Sequence, residues 1–395
     1  MPRVNPEILK WARETAGLGA EEAARRLGIG PARGRTEVER IAALEAGEEE
    51  PSRALLVKMA RQYRRPLVVF YMAEPPRSAL RGRDFRTLPE EYTQRDEALV
   101  DALLRDVRAR QSTIRSVLED EDEAEPLPFV ASMRETDGMD AILASIRETL
   151  GFSLDEFRRR RTPVEAFQLL RERAEAAGVF VLLIGNVGSH HTALDVELFR
   201  GFALADPYAP FVVINDQDSK AAWSFTLVHE LVHLWLGHTG VSGAVADRDV
   251  ERFCNDVASE LLLPRDEIDG VDWPVHAPLE ELAGIVDRFA GERNVSRSMV
   301  AYRLYRQRRI ARGRWMELRA YFRRRWMDAR QRTREQAREQ ESGPSFYIVR
   351  RHRLGNALVA LAARMVSGGA LSTTEAGHVL GVRAKQVAPL VHAAR

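Results

Sequence analysis

The chain has 395 residues, with 59 Lys and Arg against 58 Asp and Glu, for a formal net charge of +1. That near-neutral balance implies no polyelectrolyte partner for the molecule as a whole, and the length leads us to expect two to four compact units, each with its own core. The single cysteine, Cys254, excludes an internal disulfide and fits a reducing cytoplasm.

The opening residues, Met1-Pro2-Arg3-Val4-Asn5-Pro6-Glu7, carry no apolar core of signal-peptide length, and the longest apolar run, Val179–Ile184, is too short to span a bilayer. A soluble cytoplasmic protein with no membrane partner is expected. Residues 1–76 predict five short helices: Pro6–Ala16, Ala20–Leu27, about Arg35–Glu45, Ser52–Tyr63 and Leu67–Tyr71. Gly28 closes the second, and Gly47 to Pro51 separates the next pair. This punctuation, with Ile41-Ala42-Ala43-Leu44-Glu45-Ala46-Gly47 running on to Pro51-Ser52, resembles an Xre-type helix-turn-helix domain. A helix that reads DNA presents basic or amide side chains to base edges amid phosphate contacts. Here Arg33, Arg35 and Arg40 are offset by Glu37, Glu39, Glu45 and Glu48–Glu50, so the charges almost cancel. The balance points to a helix-turn-helix used for protein contact as much as to one that binds DNA strongly, and any DNA binding by residues 1–76 is expected to be weak.

Residues 77–150 read as a helical connector, with a helix at Asp96–Leu118 and an acidic solvated turn at Glu119–Glu125. Beyond Pro163 come a helix, Val164–Ala177, and strands at Val179–Ile184, Phe199–Ala205 and Phe211–Asn215. His190 and His191 sit in a loop of Gly, Ser and Asn, where histidines are usually solvated. Such a small sheet is expected to take an extended peptide as an added strand near Phe199–Asn215.

The next run, Trp223–Leu236, predicts a helix closed by Gly237 and contains His229-Glu230-Leu231-Val232-His233. Residues four apart share a helix face, so both imidazoles point the same way and can bind one divalent ion, most naturally zinc, with Glu230 towards its open side. A catalytic zinc site needs a third protein ligand. Val250–Leu263 predicts an amphipathic helix ended by Pro264, with a stripe of Phe253, Val257, Leu261 and Leu262. Glu251 begins it, eighteen residues after His233, close enough for the chain to return a carboxylate to the imidazoles. Asp256 and Glu260 compete for this role from other faces of the helix. Asn255, one turn beyond Glu251, is placed to hold that carboxylate or the backbone near it. Cys254 reads as a small buried apolar residue, with a redox or fourth-ligand role as the lesser alternative. His238 either donates to a developing oxyanion or, more simply, interacts with the helix dipole.

The run Phe225-Thr226-Leu227-Val228-His229 to His238, followed by Glu251, Asn255, Ala258, Leu261-Leu262 and Pro264, resembles the ImmA/IrrE family of metallopeptidases over roughly residues 140–310. The resemblance implies metal ligation by His229, His233 and Glu251 and activation of water by Glu230. One departure is Val232, where the family often has Gly; valine is compatible with a helix. Asp84-Phe85-Arg86-Thr87-Leu88-Pro89 likewise resembles a segment that follows the helix-turn-helix in fused members.

Glu280–Arg293 and Ser296–Arg309 predict two helices about a turn at Asn294-Val295, resembling the pair that closes the family's catalytic unit. From Arg303 to Arg338 there are fourteen arginines and three acids, interleaved with Trp315, Tyr321, Phe322 and Trp326. Such a segment suits either nucleic acid or an amphipathic helix with solvated arginines; the acids of 119–125 favour the second reading as an internal partner. After a polar linker, Arg330–Gly343, the stretches Leu371–Gly381 and Arg383–His392 resemble a second helix-turn-helix.

The sequence therefore predicts a mostly helical α+β chain. Its divisions are a helix-turn-helix domain (1–76), a connector (77–150), a zincin-like metallopeptidase domain with a small sheet (151–312), a basic helix and linker (313–343) and a C-terminal helical module (344–395). The function expected is a zinc-dependent endopeptidase, with manganese as the alternative metal, cutting a protein substrate that the resemblance implies is an Xre-type repressor. The rival is a DNA-binding regulator or antitoxin with a structural or sensory metal site.

Overall fold

The computed structural model describes residues 3–32, 34–76, 93–187, 192–242, 248–339 and 345–392. Arg33, His190, His191 and the segment Asp84–Pro89 lie outside the described residues. The chain divides into two units, Met1–Asp106 with Asn186–Leu194, and Val107–Gly185 with Asp195–Arg395.

In the first unit, α1 (Pro6–Glu14), α2 (Ala20–Leu27), α3 (Glu37–Glu45) and α4 (Arg53–Gln62) are followed by a short 3-10 helix, Leu67–Tyr71. Their apolar faces meet in a core that includes Ile8, Leu9, Leu27, Ile41, Leu56 and Phe70. Local chemistry fixes the ends of these helices. Asn5 accepts from the Glu7 backbone at the start of α1, and its Nδ2 donates to the carbonyls of Met72 and Ala73, tying the start of α1 to the chain after the 3-10 helix. Thr36 and Glu39 form a reciprocal capping box on α3. A two-point ion pair from Arg13 to Glu45, at 2.6 and 2.9 Å, joins α1 to α3.

Helix α5 (Gln94–Asp120) begins in the first unit and ends in the second. In the second unit α6 (Met139–Leu150), α7 (Leu154–Arg158) and α8 (Pro163–Ala176) lead into a four-stranded sheet. Its strands are β1 (Phe180–Leu183), β2 (Gly201–Leu204), β3 (Phe211–Ile214) and β4 (Gly240–Ser242), in the order β1-β3-β2-β4. β1 runs parallel to β3, while β2 runs antiparallel to both β3 and β4. Every residue of β1, β2 and β3 is buried, which is why each reads as a continuous apolar run rather than an alternating one. Between β3 and β4 lies α9 (Trp223–Trp235), apolar around nearly its whole circumference and accordingly interior. α10 (Arg248–Leu262), the short α11 (Arg265–Asp269), α12 (Leu279–Glu292) and α13 (Arg297–Arg306) complete the layer. Residues 127–150, read from sequence as part of a connector, pack into this same core through Phe129, Ile142, Leu143 and Ile146.

Two expectations require correction. The strand pair around Phe199–Asn215 offers no open edge, because β2 lies between β3 and β4, and β3 lies between β1 and β2. The edge strands are β1 and β4. The linker expected at Arg330–Gly343 is helical as far as it is described up to Glu339, since α14 runs over Arg312–Glu339. Among the described side chains, the pairs found for its arginines lie elsewhere than the acids of 119–125. Within this unit Glu119 pairs with Arg115 and Glu123 with Arg364, whereas Arg319 and Arg323 face Glu197, and Arg325 faces Asp287. The second unit ends in α15 (Phe346–Leu354), α16 (Asn356–Gly368), α17 (Thr373–Leu380) and α18 (Ala384–His392). No helix among the described residues is long and apolar enough to cross a membrane.

Candidate metal centre

Helix α9 brings His229 and His233 onto one face, with their Nε2 atoms 3.1 Å apart. Helix α10 packs against α9 through Cys254, Val257, Ala258, Leu261 and Leu262, all buried, and this packing presents Glu251 from the first turn of α10. Glu251 Oε2 lies 3.2 Å from His229 Nε2, and Oε1 lies 3.3 Å from His233 Nε2. Two ligand atoms about 2.0–2.1 Å from one ion at a tetrahedral angle stand roughly 3.3 Å apart. The three side chains are thus spaced as a set of nitrogen and oxygen donors for one divalent ion. Both histidines are buried, and Glu251 is the partly open member. Burial pushes the Glu251 carboxyl up, but hydrogen bonds and charge from His229 and His233 outweigh it and hold the group well below the usual carboxylate range.

The competing carboxylates are engaged elsewhere. Asp256 accepts from Tyr302 Oη and Arg306 Nε, each at 2.8 Å, and Glu260 pairs with Arg303 while accepting from the Arg265 backbone. Asn255 is half-buried, and among the described residues no side-chain hydrogen bond joins it to the Glu251 carboxylate. Of the two roles expected of Asn255, the direct hold on the carboxylate is therefore not made by its side chain in this arrangement. His238 sits past the end of α9 with its ring centroid 6.2 Å from that of His233, and its backbone N–H donates to the His233 carbonyl at 2.8 Å. Cys254 is buried with Sγ 3.9 Å from His233 Nδ1, and burial followed by the charges of Glu251 and Glu230 raises its thiol far above the usual range.

Glu230 is completely buried, with both carboxylate oxygens sealed from solvent. It lies against the first residue of β2. A Cβ on Gly201 would stand 2.8 Å from Glu230 Oε1, 2.7 Å from Thr226 Cγ2 and 3.0 Å from the Val213 carbonyl. The strand can approach α9 this closely only because residue 201 has no side chain. Sequence reading missed Gly201; a glycine opening an otherwise apolar strand was the available signal.

The loop after α5 finishes the motif helix. Ala131 and Met133 donate their backbone N–H groups to the carbonyls of Leu234 and Trp235, at 2.9 and 3.1 Å. These are among the last carbonyls of α9, which lack intrahelical partners. Phe129 stacks on Trp235 at 4.4 Å, and Trp235 Nε1 donates to Ser145 Oγ at 3.0 Å. Gly237 takes the left-handed conformation at φ +70°, in the position that commonly ends a helix.

Of the basic residues expected to read DNA, Arg35 pairs with Glu48 and Glu49, and Arg40 donates to the Gly30 carbonyl at 2.8 Å.

Comparison with curated proteins and with solved structures found no match to the chain. Residues 185–305, which hold the two histidines, Glu230 and Glu251, match the family model described as the IrrE N-terminal-like domain, supporting the ImmA/IrrE resemblance and with it a metallopeptidase that uses a divalent metal.

Proposed function

We propose that this protein is an endopeptidase of the ImmA/IrrE type, with zinc held by His229, His233 and Glu251 and with Glu230 as its general base. The observation that carries this reading is the 3.1–3.3 Å spacing of three donor groups from two helices, beside a buried carboxylate on the same motif. When bound, zinc supplies a Lewis acid for the scissile carbonyl and lowers the pKa of water to about 7. The Glu230 carboxylate accepts a proton from the attacking water and returns it to the leaving amine, a role worth typically ~100 to 10,000-fold. Its close seat against Gly201 restrains that carboxylate, so little reorganisation accompanies the transfer.

The substrate proposed is a protein, and the resemblance points to an Xre-type repressor. We read the first unit as a helix-turn-helix domain that selects this partner more than it binds DNA, since Arg35 and Arg40 are already engaged within the unit. A regulator or antitoxin with a merely structural metal would have no use for Glu230 beside the ligands. The test is to incubate the full chain with repressors encoded beside it, with and without a chelator. Cleavage that disappears on chelation and in Glu230→Gln supports the proposal; cleavage surviving in Glu230→Gln contradicts it.

A further inference from the structure

Helix α14 turns Leu318 and Phe322 into the core and stacks Trp315 on Tyr305, leaving another face outward. Arg319, Arg323, Met316 and Met327 are exposed at three- and four-residue spacing, so they form one stripe along that face. Met316 and Met327 are large apolar side chains left in water, at 46% and 51% exposure. The two arginines converge on Glu197, with Arg319 Nη2 and Arg323 Nε each 3.7 Å from its carboxylate. Arg200 Nη2 reaches the same carboxylate at 3.9 Å. One carboxylate thus faces three guanidinium groups, and none of these pairs lies within the ~2.7–3.2 Å of a direct hydrogen bond. The cluster keeps an excess of positive charge and donors with capacity for further carboxylates.

The place of this cluster matters. Glu197 precedes Gly201 by four residues, and four residues of chain span at most about 14 Å. Gly201 in turn lies against Glu230. The cationic stripe therefore flanks the centre to which proteolysis is assigned above. We infer that the stripe binds an acidic segment of the polypeptide substrate, a few residues from the bond to be cut, given ~3.3 Å per extended residue. Arginines pair with substrate carboxylates, while Met316 and Met327 cover the apolar side chains between them. A polypeptide suits this surface better than a duplex, because Glu197 and the apolar methionines interrupt the row and a duplex carries one charge per about 1.7 Å. This inference rests on the endopeptidase reading for the identity of its occupant, but binding can be measured without cleavage.

The test uses the full-length protein and fluorescent twelve-residue peptides that differ only in carrying three glutamates or three glutamines. The glutamate peptide should bind at least tenfold more tightly at low salt. Arg319→Glu with Arg323→Glu should abolish that preference. Arg324→Glu with Arg332→Glu, the same charge change at exposed positions off the stripe, should leave it within twofold. The inference is overturned if the two peptides bind alike, if both double variants lose binding equally, or if duplex DNA uses the same arginines more tightly than the glutamate peptide does. A protein that binds as expected yet cleaves nothing would refute the endopeptidase reading while leaving the acidic-segment surface in place.

Discussion

Gly201 is small because Glu230 lies where its side chain would begin. Three atoms of Thr226, Glu230 and Val213 stand at 2.7–3.0 Å from a Cβ placed there, and all three residues lie in β3 or α9. Gly201→Ala should therefore push the Glu230 carboxylate aside without touching a metal ligand. A displacement near 1 Å at a reacting group costs about 100-fold in rate. We expect hydrolysis to fall by that order while metal content stays at the wild-type level, measured on the same preparation. Wild-type turnover in Gly201→Ala would mean that Glu230 is not the base or has room to spare. The HELVH pentapeptide was legible in sequence because its geometry is local to one helix. Gly201 was not, because its constraint comes from a helix almost thirty residues further on. Glu251 lies between these cases: its distance from His233 allowed the approach, while the pairing of Asp256 with Tyr302 and Arg306 was visible only once α13 was in place.

Among the elements, α9 depends most on its ending. Gly237 occupies a left-handed turn at φ +70°, where a side chain costs about 1–2 kcal/mol, and a Cβ there would also sit 2.7 Å from Ala131 Cβ. Gly237→Ala should lower unfolding stability by at least ~1 kcal/mol, read as a shift in the denaturant midpoint at unchanged slope. An unmoved midpoint would show that the loop at 131–133 does not hold the end of α9. The sequence placed this helix and its closing glycine correctly, since both are local signals. It missed β4 because Gly240–Ser242 has no strand pattern of its own and exists through pairing with β2. It also broke α14 too early. The stretch after Arg330 is rich in Arg, Gln, Glu and Ala, all good helix formers, and Gln331 donates to Glu335 one turn on. Polarity was mistaken for a linker where no Gly or Pro interrupts the turn.

On the scale of the second unit, the C-terminal helices are joined to the sheet by a buried ion pair. Arg171 on α8 pairs with Glu175 at 3.0 Å and also donates to the carbonyls of Val181 on β1 and His352 on α15. Glu175 accepts the backbone N–H groups of Asn356 and Ala357 at the start of α16, each at 3.1 Å. Gly355, at φ +83°, lets the chain pass over this pair, since a side chain there would overlap the Glu175 carboxylate. Truncating one member of such a pair leaves the other buried and uncompensated, at a cost of about 3–5 kcal/mol. Glu175→Ala should unfold well below wild type in a thermal melt, and the double variant Arg171→Met with Glu175→Leu should recover part of the loss. A Glu175→Ala protein as stable as wild type would rule out this coupling. Residues 344–395 read from sequence as a separate module because partners some 180 positions apart leave no local trace. For the first unit, the nearly cancelled charge and the engaged Arg35 and Arg40 lead us to expect weak DNA binding with a shallow salt dependence. Nanomolar sequence-specific binding in a gel shift at physiological salt would contradict that expectation.

Glu251 is the residue on which the catalytic reading turns, because the two histidines alone make an incomplete site. The decisive measurement is the metal content of purified full-length protein beside its Glu251→Ala variant, prepared without chelator. We predict about one divalent ion per chain in the wild type, predominantly zinc, and loss of most of it in the variant. A Glu251→Ala protein carrying as much metal as wild type would contradict the assignment of His229, His233 and Glu251 as the metal centre.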